Sequence, residues 1–207
     1  LFYSFPKLCF WRVFLFALFC FAANPGFPKN IDSLQQAVKT LTDSEEKVDH
    51  LNSIGDHFMR ADFEEAFTNF TQAVEIAEKI GYLDGLARAY NGITALYTEY
   101  GAYQVALEYS KKLLSTAEAS GNEIRKANGY TNVGNIYMYL QDLGRAREMY
   151  LKALDSYQRL ENYSGIGIVT LNIGNLWDQE NQADSAMAFV LKAKGYFEKM
   201  ETPNPYL

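Results

Sequence analysis

Cysteine is confined to Cys9 and Cys20, so the rest of the chain can form no disulfide and offers no thiolate to a metal. A body without cysteine suits any redox compartment and does not locate the protein. Proline is restricted in the same way. Pro6, Pro25 and Pro28 precede residue 30, Pro203 and Pro205 follow residue 200, and nothing between them forces a helix to break. Basic residues are outnumbered, 19 Lys and Arg against 25 Asp and Glu, giving a net charge of −6. A nucleic-acid footprint needs a basic face, so that partner is excluded. The signatures of catalysis are absent too: no Gly-rich phosphate loop, no His-Glu-x-x-His, no Ser/His/Asp set at motif spacing. Gly165-Ile166-Gly167 is a glycine pair near a helix start without the remainder of a nucleotide fingerprint. No enzyme activity and no cofactor is assigned. What the chain does have is apolar residues, 48% of 207, enough to bury a core.

Residues 1–22 read as a signal peptide or signal anchor. Lys7 and Arg12 precede the apolar run Val13 to Ala23, which contains no charge. Eleven residues are too few to span a bilayer comfortably and suit a signal-peptide core. Cys20 and Ala22 place small residues for cleavage after Ala22. A lipoprotein site at Cys20 is disfavoured by the bulky Phe19 before it. The cleaved leader and the uncleaved anchor both stay open, and either implies export: periplasmic, or membrane-anchored facing the periplasm. Without the two leader cations the net charge falls from −6 to −8.

The body is organised by a period of 40 residues. Ala66, Ala106, Ala146 and Ala186 recur without drift, and a fixed period of this size marks a repeat array. Residues 23–30 form a Pro/Gly linker and 31–41 a short capping helix, with Leu34, Ala37, Val38 and Leu41 at helical spacing. Four units follow, 42–81, 82–121, 122–161 and 162–201, each read as an antiparallel helix pair joined by a tight turn. Thr42 and Glu45 are spaced as a capping box for the first helix, and Asp62 as the cap of its partner. Gly81 and Gly121 stop the second helices of the first two units. The first unit stays in phase only if its internal turn is one residue shorter than the others. Residues 202–207 read as the start of a further unit, because no polar capping helix closes the array.

Within the last three units, counted from Ala87, Ala127 and Gly167, position 7 is Ile93, Val133, Ile173; position 8 is Thr94, Gly134, Gly174; position 11 is Tyr97, Tyr137, Trp177. Counted from Val48, the first unit supplies Ile54, Gly55 and Phe58. Small residues at position 20 allow two helices to cross closely, and Gly134 and Gly174 are expected to face Ala146 and Ala186 there. At these residues the chain resembles the tetratricopeptide repeat family, over about residues 43–200. The third unit matches its pattern as Tyr130, Val133-Gly134, Tyr137, Ala146, Tyr150 and Ala153, whereas Thr94, Ser110 and Leu113 leave the second unit off pattern. The units are longer than the roughly 34 residues usual for the family, as in a long-helix subclass found in bacterial regulators. The segment Ala77 to Asn91 is similar to repeat regions that precede a transmembrane helix and a histidine kinase. The resemblance implies an all-α fold, a right-handed superhelix of four helix pairs with a short helix before them.

The resemblance also implies that positions 2, 5, 9 and 12 of each first helix face a concave groove. They supply Asn52, Asp56, Arg88, Asn91, Thr98, Asn128, Thr131, Asn135, Met138, Asn175 and Asp178. Amide side chains can hydrogen-bond an extended peptide backbone, so the partner expected there is a protein or peptide. For Asn132 and Asn172 at position 6, and for Asn135 and Asn175 at position 9, an inter-repeat ladder that only fixes register is equally open. The lysines of the family's carboxylate clamp are missing, since position 5 is Asn52, Asn91, Thr131 and Leu171. His50 and His57 share a helix face, but a metal needs three or four ligands and no third stands at a recognisable spacing. Asp43, Glu45, Glu46 and Asp49 complement the start of a helix dipole. Membrane contact is expected only through the leader or a segment beyond Leu207, and a homo-oligomer is open.

Overall fold

The computed structural model describes residues 31–201, with side chains through Lys199. The leader, the linker and the segment after residue 201 lie outside the described residues. The described residues form nine helices: α1 Ile31–Thr40, α2 Glu45–Phe58, α3 Phe63–Ile80, α4 Leu83–Glu99, α5 Tyr103–Ser120, α6 Glu123–Tyr139, α7 Leu143–Arg159, α8 Tyr163–Gln179 and α9 Ala183–Glu201. No strand occurs among them.

Local chemistry sets the ends. Asp62, Asn122, Asp142 and Asn162 each accept a backbone N–H three residues on, satisfying a donor that the first helical turn leaves orphaned. The first helix starts differently from the capping box expected at Thr42. Ser44 is its cap, accepting from the Lys47 N–H at 3.3 Å, so the helix begins at Glu45. Gly81 and Gly121 end α3 and α5 with φ of 74° and 66°. The equivalent joint after α7 uses Glu161 at φ 51°, and the turns inside the third and fourth pairs use Gln141 and Asn181 near φ 60°. In those turns and in the second pair's, the closing bond spans five residues, as in Ala102 N–H to Tyr97 C=O. In the first pair Asp62 N–H reaches Phe58 C=O, four residues back, which is the shorter turn that the phase requires.

The pairs α2/α3, α4/α5, α6/α7 and α8/α9 pack most extensively, and each second helix then packs on the first helix of the next pair. The first helices α2, α4, α6 and α8 also touch in series, whereas α3, α5, α7 and α9 make no contact with one another among the described residues. Closer spacing on one layer than on the other curves the array, with the first helices on its inner side. The α6/α8 contact is the slightest of the series. That joint is held from α7, where Arg147 pairs with both carboxylate oxygens of Glu180 at 2.7 and 2.8 Å and lies 4.8 Å above the Trp177 ring. At the head of the array α1 packs on α2 and buries Leu34.

The core lies between the two layers. Ala66, Ala106 and Ala146 are fully buried and Ala186 nearly so, as the crossing requires. Gly174 does face the Ala186 carbonyl, at 3.4 Å from a built Cβ. At Gly134 the atoms that a Cβ would meet first are those of the Tyr150 ring, at 2.5 Å. Gly55 meets the Phe70 ring in the same way at 2.6 Å. Because these rings are walled in, Gly134→Ala should destabilise the array by about 1–3 kcal/mol through overpacking. Glu161→Gly should do the opposite, by about 0.5–1 kcal/mol, since it relieves a left-handed non-glycine residue at some entropic cost. Urea unfolding followed by circular dichroism measures both, and a neutral Gly134→Ala would show that the Tyr150 ring has room to move.

Candidate functional site

The inner layer brings most of the anticipated groove residues onto one surface. Each first helix repeats them three or four residues apart, so they fall on one helical face. On α6 this stripe is Asn128, Thr131, Asn135 and Met138, and on α8 it ends in Asn175 and Asp178. Asp56 and Asp178 are exposed, while Arg88, Asn91, Thr98, Asn128, Asn135, Met138 and Asn175 are half-buried.

Two of the anticipated residues do not line an open surface. Asn52 is fully buried, and its amide donates to the Gly85 C=O of the next pair at 3.1 Å. Thr131 is 8% exposed and donates to the Ala127 C=O of its own helix. The reason is geometric: position 5 points along the array at the following helix pair, so α4 covers Asn52. Asn91, also at position 5, accepts from Asn132 of the next pair at 2.9 Å. Asn172 likewise donates to Asn135 at 3.1 Å. The position-6 asparagines are therefore ties between repeats.

Position 9 does more than tie. The Asn135 carbonyl oxygen accepts both from Asn172 and from the Tyr150 hydroxyl, the latter at 2.7 Å. Asn128 has its oxygen taken by the Tyr157 hydroxyl at 2.5 Å. With the oxygens engaged on the inside, the amide nitrogens of Asn91, Asn128 and Asn135 have no acceptor among the described residues, and neither has that of Asn175. Asn91, Asn128 and Asn135 thus present N–H donors fixed through their oxygens, and Asn175 adds an amide beside them. The inner surface carries little free charge. Arg88 is tied to Asp56 at 2.8 Å and to the Ser53 hydroxyl at 3.2 Å. Thr98 bonds its own helix through the Thr94 C=O, and the Met138 sulfur accepts a long bond from Tyr150.

Tyr150 and Tyr157 were legible only as core rings. A buried phenol must find a partner for its hydroxyl, and that requirement is the signal that could have linked them to the asparagines. His50 and His57 gain no third ligand, and no group of three or more metal-binding side chains occurs among the described residues. No helix among them is long and apolar enough to cross a membrane.

The tetratricopeptide repeat family model matches residues 47–119, which cover the first two helix pairs. Those residues are tetratricopeptide repeats. The third and fourth pairs repeat the first-helix length and the turn bond of the second, so the described residues form one tetratricopeptide-like array. A search of the curated proteins finds no match. Solved structures share the fold. BtubC (BKLC) from P. vanneervenii is 21% identical, with a TM-score of 0.67 over 84% of this chain and 75% of that one. A Rap protein complexed with Competence and Sporulation Factor is 19% identical, with a TM-score of 0.71 over 81% of this chain and 49% of that one. The third is a signal transduction ATPase with numerous domains from Pyrococcus horikoshii that has a tetratricopeptide repeat sensor. It is 20% identical, with a TM-score of 0.67 over 81% of this chain and 26% of its own. The chain thus spans half or less of two of these three. Tetratricopeptide repeats are scaffold units, and no reaction is assigned to the chain.

Burial also leaves a titration signature. It pushes the Tyr150 and Tyr157 phenols up, and burial with the Glu78 hydrogen bond pushes Tyr90 up to about 12. Unfolded phenols ionise near pH 10, so above that pH the unfolded state binds fewer protons than the folded one. The stability these groups contribute is complete below about pH 10 and is lost from there towards pH 12. Urea midpoints measured across this range should fall steeply, and Tyr150→Phe should make the fall shallower. An unchanged slope would mean that Tyr150 titrates freely.

Proposed function

We propose that this chain is a protein- or peptide-binding scaffold whose ligand lies along the inner surface of α4, α6 and α8. The observation that carries the reading is the row of N–H donors on Asn91, Asn128, Asn135 and Asn175. The oxygens of Asn91, Asn128 and Asn135 are spent on tyrosines or on the next repeat, so these three offer donors without acceptors. An extended backbone supplies carbonyl oxygens at regular intervals and is the ligand such a row fits. A groove with little free positive charge does not favour capture of a terminal carboxylate. The Rap relative was crystallised with Competence and Sporulation Factor, which supports partner binding on this scaffold without identifying the partner here.

The biological setting we propose is the extracytoplasmic sensory or docking region of a bacterial membrane signalling protein of the two-component type. Its supports are the apolar leader of residues 1–22, the likeness of Ala77 to Asn91 to repeats that precede a histidine kinase, and the repeat sensor of the Pyrococcus protein. A free-standing periplasmic adaptor is the second reading, favoured by the same leader if it is cleaved. Fusing residues 1–30, behind a start Met, to a leaderless alkaline phosphatase tests export: an inactive fusion would remove both readings.

For the groove, a binder is selected from a library of displayed random peptides. Asn135→Ala combined with Asn175→Ala should weaken it by about tenfold or more, the loss of two hydrogen bonds, with helicity unchanged. Loss of the fold without a separable binding defect would leave these residues as ladder members only.

A further inference from the structure

Several aromatic rings of this chain carry one of its own cations. Arg145 lies 4.4 Å from the centre of the Tyr137 ring and also pairs with Asp142. Arg147 lies 4.8 Å from the Trp177 ring centre and also pairs with Glu180, the residue that ends α8. Each arginine thus meets a ring and a carboxylate together, at the edge of the array where the turns inside the pairs lie. The second pair has no such arginine, because the residues equivalent to Arg145 and Arg147 are Val105 and Leu107. Yet the rings and the carboxylate are there. Tyr100 and Tyr139 are each 52% exposed, and among the described residues no cation lies over them or over Tyr103. Tyr100 meets Phe63 of α3 edge-on at 4.8 Å, and Tyr103 of α5 stacks on Tyr139 of α6 at 5.4 Å with the planes 9° apart. Glu99, the last residue of α4, is exposed and in no ion pair among the described residues. It lies near enough to Tyr139 for its charge to help raise that phenol, after the larger effect of part burial. The helix ends add to this negative charge. α4, α6 and α8 all end at this edge without a basic residue in the last turn, whereas α3, α7 and α9 end with Lys79, Arg159 and Lys199.

We infer that this edge docks a basic segment of a partner protein, with an arginine of that segment seated against Tyr139 beside Glu99. The chemistry is the one the third and fourth pairs supply internally. A guanidinium is planar, so it lies flat on a ring while its N–H groups reach a carboxylate, and an ammonium does this less well. Charge selects the partner as well as the side chain. A second copy of this chain, at a net charge of −6, would bring acid against acid, whereas a basic segment is drawn to the edge. The surface is separate from the inner row of asparagines, so it does not depend on what that row binds.

Fluorescence anisotropy of a labelled peptide of alternating glycine and arginine, titrated with the 207-residue chain at physiological salt, tests this. The chain should bind it more tightly than the glycine–lysine counterpart. Tyr139→Ala should weaken binding by about fivefold, and Tyr139→Phe, which keeps the ring, should not. Glu99→Gln, at an exposed site that the fold does not need, should weaken it by a similar factor and serves alone if Tyr139→Ala loses helicity. Glu118→Gln, which removes an exposed acid at the opposite edge, should change nothing. Absence of binding overturns the inference. So does an equal loss on Glu118→Gln, which is attraction by overall charge, and so does lysine binding as tightly as arginine. A loss on Asn135→Ala with Asn175→Ala but none on Tyr139→Ala also overturns it, by moving the peptide to the inner surface.

Discussion

The array depends on close approach between the two helices of each pair, and that approach is a matter of shared volume. Position 8 on the first helix and position 24 on the second divide one space between them. Gly55 goes with Phe70 and Gly134 with Tyr150, each ring lying within 3 Å of where a Cβ would be. The second pair has Thr94 and Ser110, both buried. The larger residue on one side goes with the smaller on the other, so Thr94 and Ser110 depart from the family pattern together. Phe70 reaches further, since Gly92 of the next pair also leaves room for its ring. One aromatic side chain thus sets both the geometry within a pair and the spacing to the next.

That spacing determines what the inner surface can offer. The first helices lie near enough for asparagines to bond across them, Asn132 to Asn91 and Asn172 to Asn135. Each such bond consumes a carbonyl oxygen and leaves an amide nitrogen. The buried tyrosines act in the same direction, since the hydroxyls of Tyr150 and Tyr157 also donate to asparagine oxygens. Core packing therefore fixes the polarity of the groove. In Asn135 the register ladder takes the oxygen end of the carboxamide and leaves the nitrogen end without an acceptor among the described residues.

The helix pairs were legible because their period, their missing prolines and their caps agree with one another. Even the shortened first turn followed from the phase of Ala66. The groove was legible only in part. At positions 9 and 12 Asp56, Thr98, Asn135, Met138, Asn175 and Asp178 are exposed or half-buried, whereas Asn52 and Thr131 at position 5 are buried, because a single-helix projection cannot show that the next pair leans over them. Asn52 went wrong for that reason. The capping box at Thr42 failed for a local one: Ser44 competes for the same role, two residues nearer the helix. The tyrosine–asparagine bonds join α6 to α7 of the same unit, and Asn128 to Tyr157 is a separation of 29 residues that no local pattern announces.

The two layers are under unequal constraint. Inner helices touch each other in series, so a change on their facing sides alters the spacing of the array. Outer helices have no mutual contacts among the described residues, and their solvent-facing residues are free to vary without cost to the fold. On α5 and α7 that freedom is filled with ion pairs, the composition expected of a surface with nothing to do but stay in water. On α9 Lys194 and Glu198 keep such a pair, while Ala188, Leu191 and Gly195 stand where α7 carries Glu148, Leu151 and Asp155. The off-pattern pair Thr94 and Ser110, by contrast, is buried and is explained wholly within the folded unit.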